Sequence, residues 1–372
     1  MMGATLQQRF VTLDVFRGMT VFLMIIVNTQ GSGAEPYHQL MHAEWNGFTV
    51  TDLVFPSFLF AVGNAMPFAM RKWEGLRDSQ VIYTILKRSV LIFLVGYLLS
   101  WYSTMHWTDG QLQFAPILHT RIMAVLQRIA LCYLSAALLT HYFSNRTVVI
   151  LSIVILLGYW VILFGYGPMT IEDNLVRKID LAVIGEQHMY RERGIIFDPE
   201  GLLSTLPAIT NVTAGYLCGR FIQKQGKTAS VVVRLLWAGG VFILIAAAWN
   251  LLLPFNKKLW TSSYVTLTIG VDVLSIGLLF YIVEIKNRSG IARFFSPMGK
   301  NPLFIYVLSN LLLFVLILPL TSNKIFIEWI NAVLFQKVAP GRFGAFLFSL
   351  CFTLILWLVA FIMDKRKLYV RL

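Results

Sequence analysis

Residues 147–165 read TVVILSIVILLGYWVILFG, a run from Thr147 to Gly165 without one charged side chain. At about 1.5 Å per residue, a helix of that length crosses the roughly 30 Å hydrocarbon layer of a bilayer. Hydrocarbon leaves the backbone no partner but its own helix. Comparable blocks recur at roughly 12–31, 48–70, 84–102, 120–141, 204–222, 231–253, 262–284, 301–319 and 343–363. The expected fold class is therefore all-α, a polytopic transmembrane helical bundle with about ten spans. Residues 1–372 are read as a single membrane domain. Charge interrupts two of the blocks, at Asp14 and Arg17 in the first and at Arg121 and Arg128 in the fourth.

Composition agrees. The chain is 57% hydrophobic with a mean hydropathy of +0.70, and 13% of its residues are charged, about half the share of a soluble domain. Its net charge of +13 raises the question of nucleic acid. The basic residues, however, are scattered between apolar blocks, with no stripe, tail or recognition module, so no nucleic-acid partner is expected. Cys132, Cys218 and Cys351 lie in apolar surroundings without CxxC spacing, which supports neither a disulfide framework nor a metal cluster. The first block follows a short polar start and contains charge, so it is expected to stay attached as a span.

The charge acts as a topology signal. With the N-terminus inside, 19 basic residues fall on cytoplasmic faces and 10 on the opposite faces; this bias predicts N-in and C-in, which an even span count also requires. The connection 166–203 is then extracytoplasmic and too polar to span, with a surface helix expected from Ile171 to Met189, ended near Gly194. The segment 321–341 is also extracytoplasmic. Within it Phe326, Trp329, Ile330 and Leu334 recur at helical spacing, as in an interfacial helix. Gly63, Gly96, Gly158, Gly239, Gly240 and Gly270 fall inside spans and predict close helix packing.

Polar residues concentrate in and between the first two spans: Asp14, Arg17, Asn28, the run His42-Ala43-Glu44-Trp45-Asn46-Gly47, Asp52 and Asn64. A charge inside hydrocarbon is costly unless paired or hydrated, so these positions invite a functional reading. Asp14 and Arg17 share a helix face as an ion pair or bind the polar portion of a cofactor. His42, at the outer end of a span, can accept a proton from an amine or hydroxyl near neutral pH. Asn28 can orient that imidazole or donate to an oxyanion. The remaining histidines form no ligand spacing, and no metal is expected. Before the sixth span, Asp198 or Ser204 can cap the helix with Pro199 fixing its entrance, and Asp198 or Glu200 can also contact substrate. In Lys258-Leu259-Trp260-Thr261-Ser262-Ser263-Tyr264, Trp260 can mark the membrane interface and Ser262 can hydrogen-bond across helices.

The strings Leu13-Asp14-Val15-Phe16-Arg17-Gly18, Val27-Asn28, His42 to Gly47 and Thr51-Asp52-Leu53-Val54-Phe55-Pro56 resemble the transmembrane heparan-alpha-glucosaminide N-acetyltransferase family and its bacterial NagX-like relatives. Similarity continues through Asp198-Pro199-Glu200-Gly201, Leu259 to Tyr264 and Asn301-Pro302-Leu303-Phe304-Ile305-Tyr306, over nearly the whole chain. The resemblance implies a helical membrane acyltransferase that passes acetyl from cytoplasmic acetyl-CoA to an amino sugar on the other side. His42 matches the family's active histidine and Asn28 the polar residue associated with it. The loop Thr29–Met41 reads as a few residues longer than in the lysosomal enzyme, and no counterpart of that enzyme's large N-terminal lumenal region is expected. Both departures bear on the acceptor.

On this resemblance Arg17, Arg128 and Lys300 are candidates to assist the anionic cofactor, with ion pairing inside the bundle as the alternative. Asp52, Asn64, Asp198 and Glu200 are candidates for the acceptor's amine and hydroxyls. The acceptor implied is glucosamine or a small glucosamine-containing saccharide, and His42 serves as general base or transient nucleophile. Expected partners are that sugar, membrane lipid and, as a homodimer, a second copy of the chain. The implied location is a bacterial cytoplasmic (inner) membrane. The competing class is a sugar or small-solute transporter without acyl transfer, although no repeat symmetry is visible.

Overall fold

A computed structural model describes residues 10–108, 111–192, 194–317, 319–321 and 324–370. Arg9, Arg193 and Arg371, which enter the charge comparison, lie outside the described residues. The helices in chain order are α1 (Val11–Asn28), α2 (Val50–Met70), α3 (Asp78–Tyr102), α4 (Val125–Tyr142), α5 (Asn145–Tyr166), α6 (Leu175–Ile184), α7 (Thr205–Gln225), α8 (Ala229–Asn250), α9 (Ser262–Phe280), α10 (Ser289–Lys300), α11 (Pro302–Ile317), the short α12 (Phe326–Ile330) and α13 (Gln336–Val338), and α14 (Arg342–Lys365). Three antiparallel hairpins decorate the connections: β1 (His106–Thr108) with β2 (Gln111–Gln113), β3 (Arg191–Glu192) with β4 (Ile195–Ile196), and β5 (Pro319–Thr321) with β6 (Lys324–Ile325).

A helix stands on each of the ten expected spans. Among the described residues, α1, α2, α3, α5, α8, α9 and α14 are long and apolar enough to cross a membrane, and α10 with α11, bent by 74°, raises the number from 7 to 8 if the pair is one span. The protein is thus an all-α polytopic membrane protein with seven or eight long apolar helices. The helices α4 and α7 fall short of that apolarity for a visible reason. They bury Gln127, Arg128 and Thr140, and Thr210, Asn211 and Thr213, respectively. A helix enclosed by other helices has no need of an all-round apolar surface.

The bundle is layered accordingly. The spans α1, α2 and α9 are mostly interior, while α5 turns most of its span outward, and α7 packs against α2, α4, α5 and α9. Close approach depends on glycine. A Cβ at Gly18 on α1 would lie 1.9 Å from the Phe295 carbonyl oxygen on α10, and one at Gly299 would lie 1.8 Å from that of Asp14. The same reciprocal contact joins Gly63 on α2 to Gly215 on α7, and Gly239 on α8 to Gly270 on α9. Gly96 abuts Leu126 and Gln127, whereas Gly158 and Gly240 face open space, so the packing expectation fails at those two.

Local chemistry sets the element ends near the site. At the start of α2, Thr49 and Asp52 form a capping box: the Thr49 side chain accepts from the Asp52 amide and the Asp52 carboxylate from the Thr49 amide. The connection 166–203 is folded. Asn174 caps α6, which stops at Gly185 in the left-handed region (φ +83°) and so is shorter than the expected surface helix; Gly194 instead turns the β3–β4 hairpin. In the expected interfacial segment, α12 continues through a π turn at Asn331–Phe335 into α13, with Trp329 and Leu334 exposed.

Candidate active site

The His42 loop, the 166–203 connection and the α8–α9 connection converge on a cavity of about 430 Å³. Its apolar lining comes from Met24 and Val27 of α1, Val54 and Phe55 of α2, and Tyr306 of α11. The same cavity is lined by His42, Asp52, Arg121, Glu192, Glu200, Lys257 and Lys258. Asn28, at the end of α1, is exposed on the same cavity.

The capping box fixes more than a helix. Asp52 is 1% exposed, and its Oδ1 lies 2.7 Å from His42 Nδ1. Its Oδ2 accepts from the Ala43 and Thr49 amides, each at 3.1 Å, and its backbone carbonyl accepts from the Tyr264 hydroxyl at 2.6 Å. A carboxylate held in this way selects the imidazole tautomer with the proton on Nδ1, leaving the Nε2 lone pair available. Lys257 Nζ lies 3.1 Å from both Nδ1 and Nε2. Burial pulls its ammonium below the ordinary lysine range, against the opposing charges of Glu200 and Asp52.

Arg121 organises the next part of the wall. It precedes α4 rather than lying within a span, and its Nε and Nη2 donate to Asp198 Oδ2 and Oδ1 at 2.9 and 2.6 Å, with Nη2 also 2.7 Å from Glu200 Oε2. The guanidinium stacks over Tyr190, 4.9 Å from the ring centre. Burial alone would push its pKa down; the two carboxylates outweigh burial and raise it. Burial would likewise push the Glu200 carboxyl up, but the charges of Arg121, Lys257 and Arg128 hold it below the ordinary value. Lys258 is committed elsewhere, to the Glu44 carbonyl at 2.8 Å and Glu192 at 3.0 Å.

The capping reading of 198–204 is replaced by a different arrangement. Ser204 makes no side-chain cap, Asp198 serves Arg121, and Asp180 of α6 accepts from the Leu202 and Leu203 amides at 2.9 and 3.2 Å. Trp260 does not mark an interface: it is fully buried, with Nε1 3.1 Å from Asn211 Oδ1. Ser262 makes the expected cross-helix bond, to the Leu156 carbonyl at 2.7 Å.

The sequence candidates therefore separate. His42, Asn28, Asp52 and Glu200 share the cavity, and Asp198 lies just behind it under Arg121. Asn64 is elsewhere, twelve residues or about 18 Å along α2, buried with neither amide atom bonded among the described residues. Arg128 is fully buried, donating to the Gly201 carbonyl and the Ser204 hydroxyl, with its guanidinium 4.7 Å from the Trp260 ring centre. Arg17 donates to the Gly299 carbonyl at 2.8 Å and faces Asp14 at 3.7 Å; Lys300 pairs with Asp364 at 2.7 Å. Arg17 and Lys300 thus both stand at the α1–α10 junction, whereas Arg128 is held by the 201–204 segment.

Sequence reasoning missed Arg121 and Lys257 as site residues. Arg121 carried a signal in that a bidentate partner was needed for Asp198-Pro199-Glu200, but Lys257 carried none beyond standing before a span. Among the described residues, no three His, Cys, Asp or Glu side chains are placed to hold a metal ion.

Residues 9–183 match the model of a family described as a domain of unknown function (DUF5009). Over 361 residues the chain is 27% identical to heparan-alpha-glucosaminide N-acetyltransferase of Homo sapiens, a match covering 82% of this chain and 53% of the human protein. Against the Mus musculus protein of the same name it is 27% identical over 353 residues, covering 79% and 52%. The chain thus spans about half the length of these curated relatives, and over most of its own length it is similar to proteins named as N-acetyltransferases of heparan-alpha-glucosaminide.

Proposed function

We propose that this chain is an acetyl-CoA-dependent N-acetyltransferase of a bacterial inner membrane, a NagX-like protein that passes acetyl from the cytoplasmic donor to an amino sugar such as glucosamine or a small glucosamine-containing saccharide. The observation that carries the reading is the His42–Asp52 hydrogen bond inside a cavity walled by both apolar and charged side chains. The similarity to named N-acetyltransferases supports the reaction class.

In this mechanism the acceptor amine approaches the thioester carbonyl next to His42. Nε2 takes the amine's proton as the N–C bond forms, and the charge on the resulting imidazolium is stabilised by Asp52 through Nδ1–H. Asn28, on the cavity wall, donates its amide to the developing oxyanion. Collapse breaks the C–S bond and the thiolate leaves as thiol with the proton held by His42. The carboxylates Glu192 and Glu200, paired with Lys258 and Arg121 so that neither is buried unpaired, offer hydrogen-bond acceptors to a hydroxylated acceptor. The donor's thioester packs against the apolar lining residues. Arg17 and Lys300, at the α1–α10 junction, are the basic residues proposed to meet its anionic portion on the cytoplasmic side.

The test is transfer of labelled acetyl from acetyl-CoA to glucosamine by the protein in lipid nanodiscs, with His42→Ala as the matched control. Labelled N-acetylglucosamine that requires His42 is expected. An intact, folded protein that acetylates no amino sugar in a broad panel overturns the assignment.

A further inference from the structure

The acceptor amine of an N-acetyltransferase must satisfy two conditions: it must reach the base within hydrogen-bond distance, and it must shed its proton. One side chain of this protein already meets the first. Lys257 Nζ lies 3.1 Å from both ring nitrogens of His42, so it stands over the imidazole, within reach of Nε2, the nitrogen left free once Nδ1 is engaged by Asp52. Its hydrogen-bond contacts among the described residues run to the imidazole. It approaches the second condition as well, because burial draws its ammonium below the usual lysine range. Lys258, the adjacent amine, is tied to Glu192 and the Glu44 carbonyl.

We propose that Lys257 is an autoacetylation site, modified when acetyl-CoA is bound and no acceptor amine fills the cavity. The Lys257 amine attacks the thioester carbonyl; the new N–C bond forms as the amine proton passes to His42 Nε2. The C–S bond breaks, the thiolate takes up that proton, and free CoA thiol leaves with Nε-acetyl-Lys257 remaining on the chain. The modification removes a cation from the cavity and leaves an amide against His42, in the position the acceptor's amine requires. Donor without acceptor therefore silences the protein, and the acceptor protects it. This inference rests on the acetyltransferase reading.

The experiment uses the full chain in lipid nanodiscs with labelled acetyl-CoA, with and without saturating glucosamine. Peptide mass spectrometry locates label on the protein, and labelled N-acetylglucosamine is measured in the same tubes. With donor alone, one acetyl group on Lys257 is expected, reduced by about tenfold or more when glucosamine is present. In His42→Ala its rate falls by about a hundredfold, the lower range of general-base contributions; Asp52→Asn is the second variant should His42→Ala fold poorly. Preincubation with donor lowers later transfer to glucosamine in the wild type and leaves that of Lys257→Arg at its own starting level.

Sugar product with an unmodified Lys257 overturns the inference and leaves the acetyltransferase reading standing. Acetylation of Lys257 at the same rate in His42→Ala, or no faster than at Lys258 and the exposed lysines, marks ordinary chemical acetylation and also overturns it, as does acetyl recovered on His42 instead. Acetyl on Lys257 with no sugar product in any panel supports the inference and removes the amino-sugar acceptor. Label on neither overturns both.

Discussion

Asp52 lies ten residues after His42 and approaches its imidazole to 2.7 Å, while the same carboxylate closes the capping box that starts α2. One side chain thus sets both where the helix begins and how the histidine is turned. In Asp52→Asn, the amide oxygen still accepts one backbone bond, so the cap costs about 1 kcal/mol. Its NH2 can instead donate to Nδ1, moving the ring proton to Nε2 and removing the base. The expected loss in kcat is about a hundredfold to ten-thousandfold, the range for orienting carboxylates and general bases, with a smaller change in KM for acetyl-CoA. Steady-state kinetics beside a thermal unfolding curve separates the two effects: a variant that keeps wild-type kcat while folded shows that Asp52 does not orient the base.

Arg121 holds Asp198 and Glu200 in one grip, and Asp198 is fully buried. In Arg121→Met, two carboxylates are left without their cation, a loss of about 3–5 kcal/mol for breaking a buried pair. The unfolding temperature should drop well below wild type. Adding Asp198→Asn to that variant should recover part of the loss, because the uncompensated charge goes with it. If the double variant is no more stable than Arg121→Met, the penalty lies in packing against Tyr190 and not in charge.

How far the sequence reveals this architecture depends on what each residue answers to. Apolar runs such as 147–165 answer to hydrocarbon alone, so helices stand where they were expected. His42, Asn28 and Asp52 are legible because a polar group beside an apolar run is costly and so stands out. The pairing of His42 with Asp52 is a tertiary fact: two residues ten apart meet through a loop whose path no periodicity encodes. Arg121 and Lys257 are concealed for the opposite reason, since basic residues beside a span are ordinary topology signals. Trp260 misleads in the same way. An indole before a span reads as an interfacial anchor, yet here the chain turns inward at a left-handed Trp260 (φ +53°) and buries the ring against Asn211. Likewise the cap of the 202–203 amides comes from Asp180, more than twenty residues away, beyond the reach of any local capping rule.

That distant cap has a pH dependence. Burial pushes the Asp180 carboxyl up to about 6, against the pull of the Leu203 and Leu202 amides. An acid whose folded value exceeds its unfolded value near 3.9 binds more protons in the folded state. Its contribution is therefore most favourable below about pH 4, falls as pH rises, and reaches its full penalty above about pH 6. Asp180→Asn keeps an oxygen for the amides and removes the titration. Its stability relative to wild type should grow between about pH 4 and pH 6 and level off beyond, a trend read from unfolding temperatures at several pH values. A constant difference across that window assigns the carboxyl an ordinary titration.

The side of the membrane on which His42 stands decides whether the proposed transfer crosses the bilayer. Basic residues number 19 on one set of faces and 10 on the other, and the richer set is expected in the cytoplasm. His42, Lys257 and the folded 166–203 connection then face outward, while Lys300 and Arg17 lie toward the inside. In a background with its three cysteines replaced, a single cysteine at Gln187, beside the β3–β4 hairpin, should react with an impermeant thiol reagent added to intact cells. One at Asn287, between α9 and α10, should react only after the membrane is opened. The reverse pattern would put His42 on the donor's own side. Acetylation would then need no passage across the bilayer, and the charge bias would have to reflect binding of the anionic donor instead of orientation.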